Sequence, residues 1–253
     1  MRRRDALQAL AGLAAARFAA AQSPSAQVLD LVAANRILYA QGVVDAFGHV
    51  SIRTAPGASR YLLARSIAPA QVTSADIVEY DLDSNAVTDK RSGYRERFIH
   101  GEIYRARPDV MSVVHCHATS LIPFSISKTP LRPVYHNSAF IGQGVPVFDI
   151  HDAAGDTDML ISSNQLAGAL AKTLADKPAV LMRGHGAVIV AKNLPDAVAR
   201  SVYLEVNARV QAQAMSLGSS PRYLYPGEVQ KRAADDYGRA WDLWKSQVQD
   251  QVR

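Results

Sequence analysis

The pattern of hydrophobic and polar positions along the chain predicts alternating helices and strands. Apolar residues recur at helical spacing in four stretches, which are residues 27–41, 97–107, 164–174 and 195–217. Short runs rich in branched apolar residues predict strands at residues 48–53, 61–63, 77–82, 110–119, 145–148, 179–182 and 187–190. Because the strands are short and the turns are typical of hairpins, we expect one mixed α/β domain with a mainly antiparallel sheet.

Composition limits the classes of function. The chain has 253 residues, of which 48% are hydrophobic and 20% charged, as in a soluble globular protein with a large core. Its net charge is +5, but four arginines and one aspartate lie within residues 1–22. Since no basic run remains after them, nucleic acid is not expected as a partner. No segment is predicted to span a membrane stably.

The first residues differ in character from the rest of the chain. Residues 1–22 begin with Met and three arginines, continue through an alanine-rich apolar run, and end in small residues. This order is typical of an export signal, and the paired arginines favour the twin-arginine type. The sequence therefore predicts a periplasmic location. The alternative is an amphipathic N-terminal helix on a cytoplasmic protein.

Four side chains form a candidate site for a divalent metal. His115 and His117 lie two positions apart in a predicted strand, so both imidazoles face one side, and Cys116 faces the other. His185 lies between two glycines, whose backbone freedom permits a tight turn into a shared pocket. Glu96, at the start of a predicted helix, would complete a set of three histidines and one carboxylate.

Each of these features taken alone has an ordinary structural explanation. A His-x-His pair can lie on a sheet surface without a metal, and a single glutamate is most often a solvated helix residue. His100, in the predicted helix after Glu96, is expected to pack against it, and a role beside the metal ligands is the alternative. The order in which the features occur strengthens the case for a metal site.

That order resembles the class II aldolase/adducin family over residues 27–220. The matching segments are Phe47-Gly48-His49-Val50-Ser51-Ile52-Arg53, Glu96, Arg107-Pro108-Asp109, residues 113–119, and Arg183-Gly184-His185-Gly186 followed by a long helix. The resemblance implies a three-layer α/β/α sandwich around a mixed, mainly antiparallel sheet. It also implies a homotetramer with its active sites at subunit interfaces.

The resemblance assigns roles to residues of this chain. His115, His117 and His185 correspond to the histidines that bind one divalent ion per chain, such as Zn, Mn or Co. Glu96 corresponds to a metal neighbour that also serves as acid or base. Tyr225, in a helical tail over residues 221–253, is a candidate for the tyrosine that a neighbouring subunit supplies as proton donor.

The chain departs from sugar-phosphate aldolases where those enzymes bind phosphate. His49 replaces an asparagine, Ala64-Arg65-Ser66-Ile67 replaces a small-residue loop, and Tyr94-Arg95 replaces a pair of serines. Phosphate cradles need small residues and free backbone N–H groups, so a phosphorylated substrate is not expected.

The Phe-Gly-His-Val-Ser segment at residues 47–51 looks more like the decarboxylase branch of the family, as do Arg65-Ser66-Ile67-Ala68-Pro69 and Gly155-Asp156-Thr157-Asp158-Met159-Leu160. That branch removes CO₂ from hydroxylated aromatic or pyridine carboxylic acids. The candidate substrate-binding residues are Gly48, Arg65, Ser66 and Arg95, since arginine suits a planar carboxylate. Each arginine can equally be part of a structural ion pair.

The principal hypothesis is a metal-dependent decarboxylase in which Glu96 or His49 handles the proton returned to carbon. The first alternative is an aldolase acting on a non-phosphorylated hydroxy-carbonyl compound. The second is a non-catalytic, adducin-like interaction module.

Overall fold

The computed structural model describes residues 23–218, 220–232 and 237–251. Within these residues there are seven strands: β1 His49–Arg53, β2 Arg60–Ala64, β3 Ile77–Asp81, β4 Ser112–Cys116, β5 Val147–Phe148, β6 Ala179–Met182 and β7 Gly186–Ala191. The α-helices of the described chain are α1 Ala26–Ala40, α2 Phe98–Ala106, α3 Ile122–Ile126, α4 Ile150–Ala154, α5 Asn164–Leu174, α6 Leu194–Ser216, α7 Pro226–Arg232 and α8 Gly238–Val248. The helices predicted over residues 27–41, 97–107, 164–174 and 195–217 are therefore present, with ends that differ by one residue at most.

The strands form one sheet in the order β3-β2-β1-β4-β7-β6-β5. Every neighbouring pair is antiparallel except β5 and β6, which are parallel. In the centre of the sheet His49 of β1 lies directly opposite His115 of β4. The prediction of a mixed, mainly antiparallel sheet is confirmed.

Each face of the sheet carries its own apolar core, because successive strand residues point to opposite sides. Val50, Val114 and Cys116 face a core completed by α1, α6 and α8. Val113 and Val188 face a second core, completed by α2 and α5. The result is the predicted three-layer α/β/α sandwich.

Two of the boundaries that differ from the prediction affect the candidate ligands. Strand β4 ends at Cys116 rather than continuing to residue 119, because Thr119–Leu121 forms a 3₁₀ turn. Helix α2 begins at Phe98, so Glu96 lies in the turn before the helix rather than at its start. Both corrections place candidate ligands just outside regular elements, at one edge of the layered core.

The sequence predicts a role for each end of the chain: an export signal over residues 1–22, and a helical tail at a subunit interface over residues 221–253. The predicted export signal over residues 1–22 lies outside the described residues, and no described feature supports export, so the periplasmic assignment is withdrawn. Among the described helices, none combines the length and apolarity needed to cross a bilayer. Within residues 221–253, α8 packs on its own chain through buried Trp241 and Trp244. A subunit interface at this tail remains a prediction.

Candidate metal centre

Four side chains from separate segments converge at the end of β4. One nitrogen or oxygen from each of Glu96, His115, His117 and His185 lies within 4.8 Å of the others. Nε2 of His117 is 3.0 Å from Nε2 of His115 and 3.0 Å from Nε2 of His185. Oε2 of Glu96 is 3.3 Å from Nε2 of His115 and 3.4 Å from Nε2 of His185.

Four of the six separations in the cluster are close to those around a tetrahedral ion, and all six are within 4.8 Å. With metal–nitrogen bonds of about 2.0–2.1 Å, the ligand atoms of a tetrahedron are roughly 3.3–3.4 Å apart. The four measured separations, from 3.0 to 3.4 Å, are close to that edge length. Three imidazoles and one carboxylate are ligands that zinc and similar divalent ions accept. The predicted set is therefore brought together in a geometry that suits a divalent metal.

Backbone carbonyl groups fix the orientation of two of the imidazoles. Nδ1 of His115 donates to the carbonyl oxygen of Ala187 at 3.1 Å, and Nδ1 of His185 donates to that of Met159 at 3.0 Å. Since a carbonyl oxygen can only accept, Nδ1 carries a proton in both rings, and in the neutral form of each ring Nε2 then presents the lone pair that a metal binds. Metal-binding histidines commonly have such outer partners.

The carboxylate of Glu96 is held by both oxygens. Its Oε1 accepts the backbone N–H of Ile161 at 2.9 Å, while Oε2 faces His115 and His185. Burial alone would raise the pKa of Glu96, but the charges and hydrogen bonds of the two histidines outweigh it and lower the pKa below its usual range. Glu96 is therefore ionised at neutral pH, as a ligand must be.

The pKa values of His117 and His185 are shifted in opposite directions. Burial, together with the neighbouring His115 and His185, lowers the pKa of His117 to about 4. Burial also acts to lower the pKa of His185, but the hydrogen bond and charge of Glu96 outweigh it and raise that pKa. His117 is therefore neutral at pH 7, the protonation state in which imidazole binds a metal.

Glycines permit the close strand spacing at the cluster. A Cβ on Gly186 would lie 2.0 Å from the carbonyl oxygen of Cys116, so only glycine allows β7 to approach β4 here. Gly184 has a φ of +62° and forms the turn that presents His185. Cys116 is fully buried and faces the core formed with α1, α6 and α8, on the opposite side of the sheet from the cluster, as predicted.

A cleft of about 420 Å³ opens beside the cluster. It is lined by Ala46, Phe47, Gly48, His49, Ser66, Ile67, Ala68, Tyr94, Arg95, Glu96, His117 and Leu160. The structure thus brings the candidate residues Gly48, His49, Ser66 and Arg95 to the same opening as the metal cluster. This cleft is therefore a candidate substrate site.

Two candidate residues, Arg65 and Tyr225, are not among those that line the cleft. Arg65 does not line the cleft, and its Nε donates to Asp76 at 2.7 Å, which is the structural ion pair considered as its alternative role. Tyr225 is two-thirds exposed, and its backbone N–H donates to Glu228 rather than to any group of the cluster. A role for Tyr225 in a neighbouring subunit stays a prediction, as does the homotetramer.

Sequence reasoning did not identify a second group of polar side chains beside the cluster. His100 is fully buried and contacts both His49 and Ser51 at 2.6 Å, so it does more than pack against its helix. Tyr104 continues this group at 2.7 Å from Ser51. The spacing held a signal, because His49 and Ser51 share one strand face, while His100 and Tyr104 are four residues apart on one helix.

Comparison with known proteins identifies the family of the chain. Residues 29–212 match the model of the family described as Class II Aldolase and Adducin N-terminal domain. This match lies within the predicted domain over residues 27–220, whose own bounds remain a prediction.

The chain also resembles characterised enzymes. It is 34% identical to decarboxylase tropJ of Talaromyces stipitatus, over 89% of this chain and 95% of that protein. It is 29% identical to 3,4-dihydroxyphthalate decarboxylase of Rhodococcus jostii, over 73% and 79% of the respective lengths.

Among solved structures, the L-fuculose 1-phosphate aldolase of Glaciozyma antarctica shares the fold. Its TM-score is 0.72 at 21% identity, and the match covers 90% of this chain and 91% of that one. Decarboxylases and aldolases are both lyases, so the prediction of an enzyme of the lyase type is confirmed. The family match and the identity to tropJ together establish that the chain belongs to the class II aldolase/adducin family.

Proposed function

We propose that the protein is a divalent-metal-dependent decarboxylase of a small hydroxylated aromatic or heteroaromatic carboxylic acid. The names of the two curated relatives support decarboxylation, and one of them names a dihydroxylated aromatic diacid as substrate. The observation that carries the substrate class is the wall of the cleft beside the metal cluster.

That wall suits a flat apolar ring. Phe47, Ile67, Tyr94 and Leu160 line the cleft, and its volume of about 420 Å³ is within the range of small-molecule sites. The Phe47 ring is 65% exposed and lies 6.3 Å from the ring of His117. An aromatic ring bound against these side chains would place its substituents beside the metal ligands.

Two backbone N–H groups of the loop that would bind a phosphate are already engaged. The backbone N–H of Arg65 donates to the carbonyl of Asp76 at 2.8 Å, and that of Ser66 donates to Ser92 at 2.9 Å. The hydroxyl of Tyr94 donates to the carbonyl of Ile67, which is part of the same loop. Because a phosphate cradle needs free N–H groups, this loop favours an uncharged ring over a sugar phosphate.

Arg95 is the cationic side chain best placed to bind a carboxylate in the cleft. Its guanidinium donates to Asp158 at 2.9 Å, and both side chains are more than half exposed. A guanidinium has five N–H donors, so a second carboxylate can be bound by those that Asp158 leaves. The strength of that contact is limited by solvent screening.

His49 is the candidate for proton transfer. Its Nδ1 is bonded to His100, so Nε2 is the nitrogen available to a substrate in the cleft that His49 lines. Burial, followed by the neighbouring His100 and His115, lowers the pKa of His49 well below its usual range. His49 is therefore neutral and can act as a base.

The proposed reaction balances with these residues. His49 takes the proton of a substrate hydroxyl and returns it to the carbon that carries the carboxylate. The bond from that carbon to the carboxylate breaks, CO₂ leaves, and solvent later protonates the phenolate. A divalent cation bound by Glu96, His115, His117 and His185 would supply Lewis-acid stabilisation of the negative charge on the substrate oxygen.

The test is a screen of the full-length protein with added Zn²⁺, Mn²⁺ or Co²⁺. Hydroxybenzoates, dihydroxyphthalates and hydroxypyridine carboxylates would be assayed for CO₂ release, with the same acids lacking the hydroxyl as controls. We expect CO₂ only from the hydroxylated acids and only with metal. Release of an aldehyde from a non-phosphorylated hydroxy-carbonyl compound, with no CO₂ from any acid, would replace this proposal with the aldolase alternative.

A further inference from the structure

A line of four buried polar side chains leads from the cleft into the core between the sheet and α2. Nδ1 of His49 is 2.6 Å from Nε2 of His100, and Nδ1 of His100 is 2.6 Å from Oγ of Ser51. Oγ of Ser51 is in turn 2.7 Å from the hydroxyl of Tyr104. None of the four is more than 4% exposed, so each depends on these contacts to satisfy its polar atoms.

The line ends at a group that can only accept. The hydroxyl of Tyr104 donates to the carbonyl oxygen of Met111 at 3.4 Å, a long bond, and that carbonyl oxygen also accepts the backbone N–H of Arg53 at 2.8 Å. The guanidinium of Arg53 lies 4.7 Å over the Tyr104 ring and restricts its position. If Tyr104 donates to Met111, every contact along the line is a hydrogen bond, whereas if Tyr104 donates to Ser51 the contact with Met111 is lost. The larger number of hydrogen bonds favours the first direction.

With Tyr104 donating to Met111, each remaining bond has one consistent donor. The hydroxyl of Ser51 donates to Tyr104, and Nδ1 of His100 donates to Ser51. Nε2 of His100 then carries no proton, and its lone pair accepts the hydrogen bond from Nδ1–H of His49. Neutral His49 is thereby left with a lone pair on Nε2, the nitrogen available to the cleft.

This arrangement differs from the one at the metal cluster. Nδ1 of His115 bonds directly to a backbone carbonyl, which permits only one tautomer. His49 instead bonds to another imidazole, which can either donate or accept. The tautomer of His49 must therefore be set by the hydrogen bonds that His100 makes to the residues beyond it in the line.

We propose that His100, Ser51 and Tyr104 are positioning residues that hold His49 as the Nδ1–H tautomer, with its Nε2 lone pair ready to accept a proton from substrate. The role in catalysis rests on the proposed decarboxylation, whereas the tautomer itself is a property of the protein alone. The two can therefore be tested separately.

The experiment is NMR of the full-length protein labelled with ¹⁵N-histidine, recorded without metal and again with Zn²⁺. Long-range ¹H–¹⁵N correlations distinguish a protonated ring nitrogen from one with a lone pair. We expect His49 to show a protonated Nδ1 and an unprotonated Nε2 in both samples. A wild-type His49 protonated on Nε2 overturns the proposal without any variant.

Two tyrosines provide a matched pair of variants. Tyr104→Phe removes the hydroxyl that anchors the line, whereas Tyr61→Phe removes an equally buried hydroxyl that bonds Ser84 instead. Their rings are only 5.4 Å apart, so both changes perturb the same core. We expect Tyr104→Phe to give a mixture of His49 tautomers and Tyr61→Phe to leave the wild-type spectrum of His49.

The same variants separate positioning from stability. Loss of an outer hydrogen-bond partner in an active site typically costs about 10–100-fold, so kcat should fall by that factor in Tyr104→Phe with KM within about twofold of wild type. Ser51→Thr keeps the hydroxyl and should restore what Ser51→Ala loses. A wild-type His49 spectrum and kcat in both Tyr104→Phe and Ser51→Ala would overturn the proposal. If no acid is decarboxylated by the wild type, the proposed function fails while the NMR result still decides the tautomer.

Discussion

Two groups of buried and half-buried histidines lie side by side on one face of the sheet and are fixed by different kinds of partner. In the metal cluster, His115 and His185 bond to backbone carbonyl groups, and their Nε2 atoms converge. In the neighbouring line, His49 and His100 bond to each other and then to a hydroxyl. Backbone partners suit ligands that must not move, while side-chain partners suit a group that exchanges protons.

The difference also explains why the two groups do not merge. The rings of His49 and His115 lie only 5.1 Å apart, on strand residues that face each other. Yet Nδ1 of His49 is taken by His100, so His49 is not part of the four-residue cluster. The comparison predicts that removing a residue from one group should have a different effect from removing one of the other.

The largest effect is expected from removing a metal ligand. His117→Ala deletes the imidazole whose Nε2 lies between those of His115 and His185, so metal content should fall and activity should drop by more than about 100-fold. His151→Ala, which changes an exposed histidine, is the control. Elemental analysis and CO₂ release measure both quantities. Full metal content in His117→Ala would remove it from the ligand set.

The next effect concerns the cleft wall. Tyr94→Ala removes the ring that lies 4.6 Å from His49 and the hydroxyl that closes the loop at Ile67. We expect kcat/KM for a hydroxyaromatic acid to fall by about 10-fold or more, because a buried aromatic contact contributes roughly 1.5–3 kcal/mol. Metal content should be that of the wild type, since Tyr94 is not part of the cluster. Unchanged kcat/KM would place the substrate elsewhere.

The buried line should be visible in the pH dependence of stability. Burial, with the neighbouring His115, lowers the pKa of His100 to about 3, against about 6.5 in an unfolded chain. Between these two pKa values the unfolded chain binds a proton at His100 that the folded chain does not bind. The stability that neutral His100 contributes is therefore complete above about pH 6.5 and is lost as the pH falls towards 3. The free energy of unfolding should fall by about 1.4 kcal/mol per pH unit from this residue.

Urea unfolding of the metal-free protein at pH 7, 6 and 5 measures that slope. The variant His100→Gln should show a shallower slope than wild type, and His151→Gln, at an exposed site, should match the wild type. Equal slopes in all three proteins would show that His100 is not held neutral.

The smallest effect is expected on the opposite face of the sheet. Cys116 lies between the two ligand histidines in sequence but faces the core formed with α1 and α6. Cys116→Ala should lower the free energy of unfolding by about 1 kcal/mol through lost apolar contact. Metal content and activity should equal those of the wild type. Loss of metal would show that the thiol contributes to the site.

The sequence was most informative where a periodic pattern determines the structure. The two-residue spacing of His115 and His117 predicts a shared face, and the glycines beside His185 predict a turn; both are present. The helix over residues 164–174 has the predicted bounds because its spacing and its Ser163 cap agree.

The remainder depends on contacts between distant segments. Periodicity places His100 and Tyr104 on one face of α2, but only the packing of that helix against β1 shows that they meet Ser51. The backbone carbonyls of Ala187 and Met159 carry no sequence signal, because any residue supplies the same group. The ion pair between Arg65 and Asp76 likewise became apparent only from the fold of its loop.

The most direct measurement of the central claim is a metal titration of the chelator-treated, full-length protein, with CO₂ release followed at each addition. If Glu96, His115, His117 and His185 bind the ion on which decarboxylation depends, activity should rise in proportion to added metal and level off at about one equivalent per chain. Full activity in the metal-free protein, or no metal binding at all, would contradict the account.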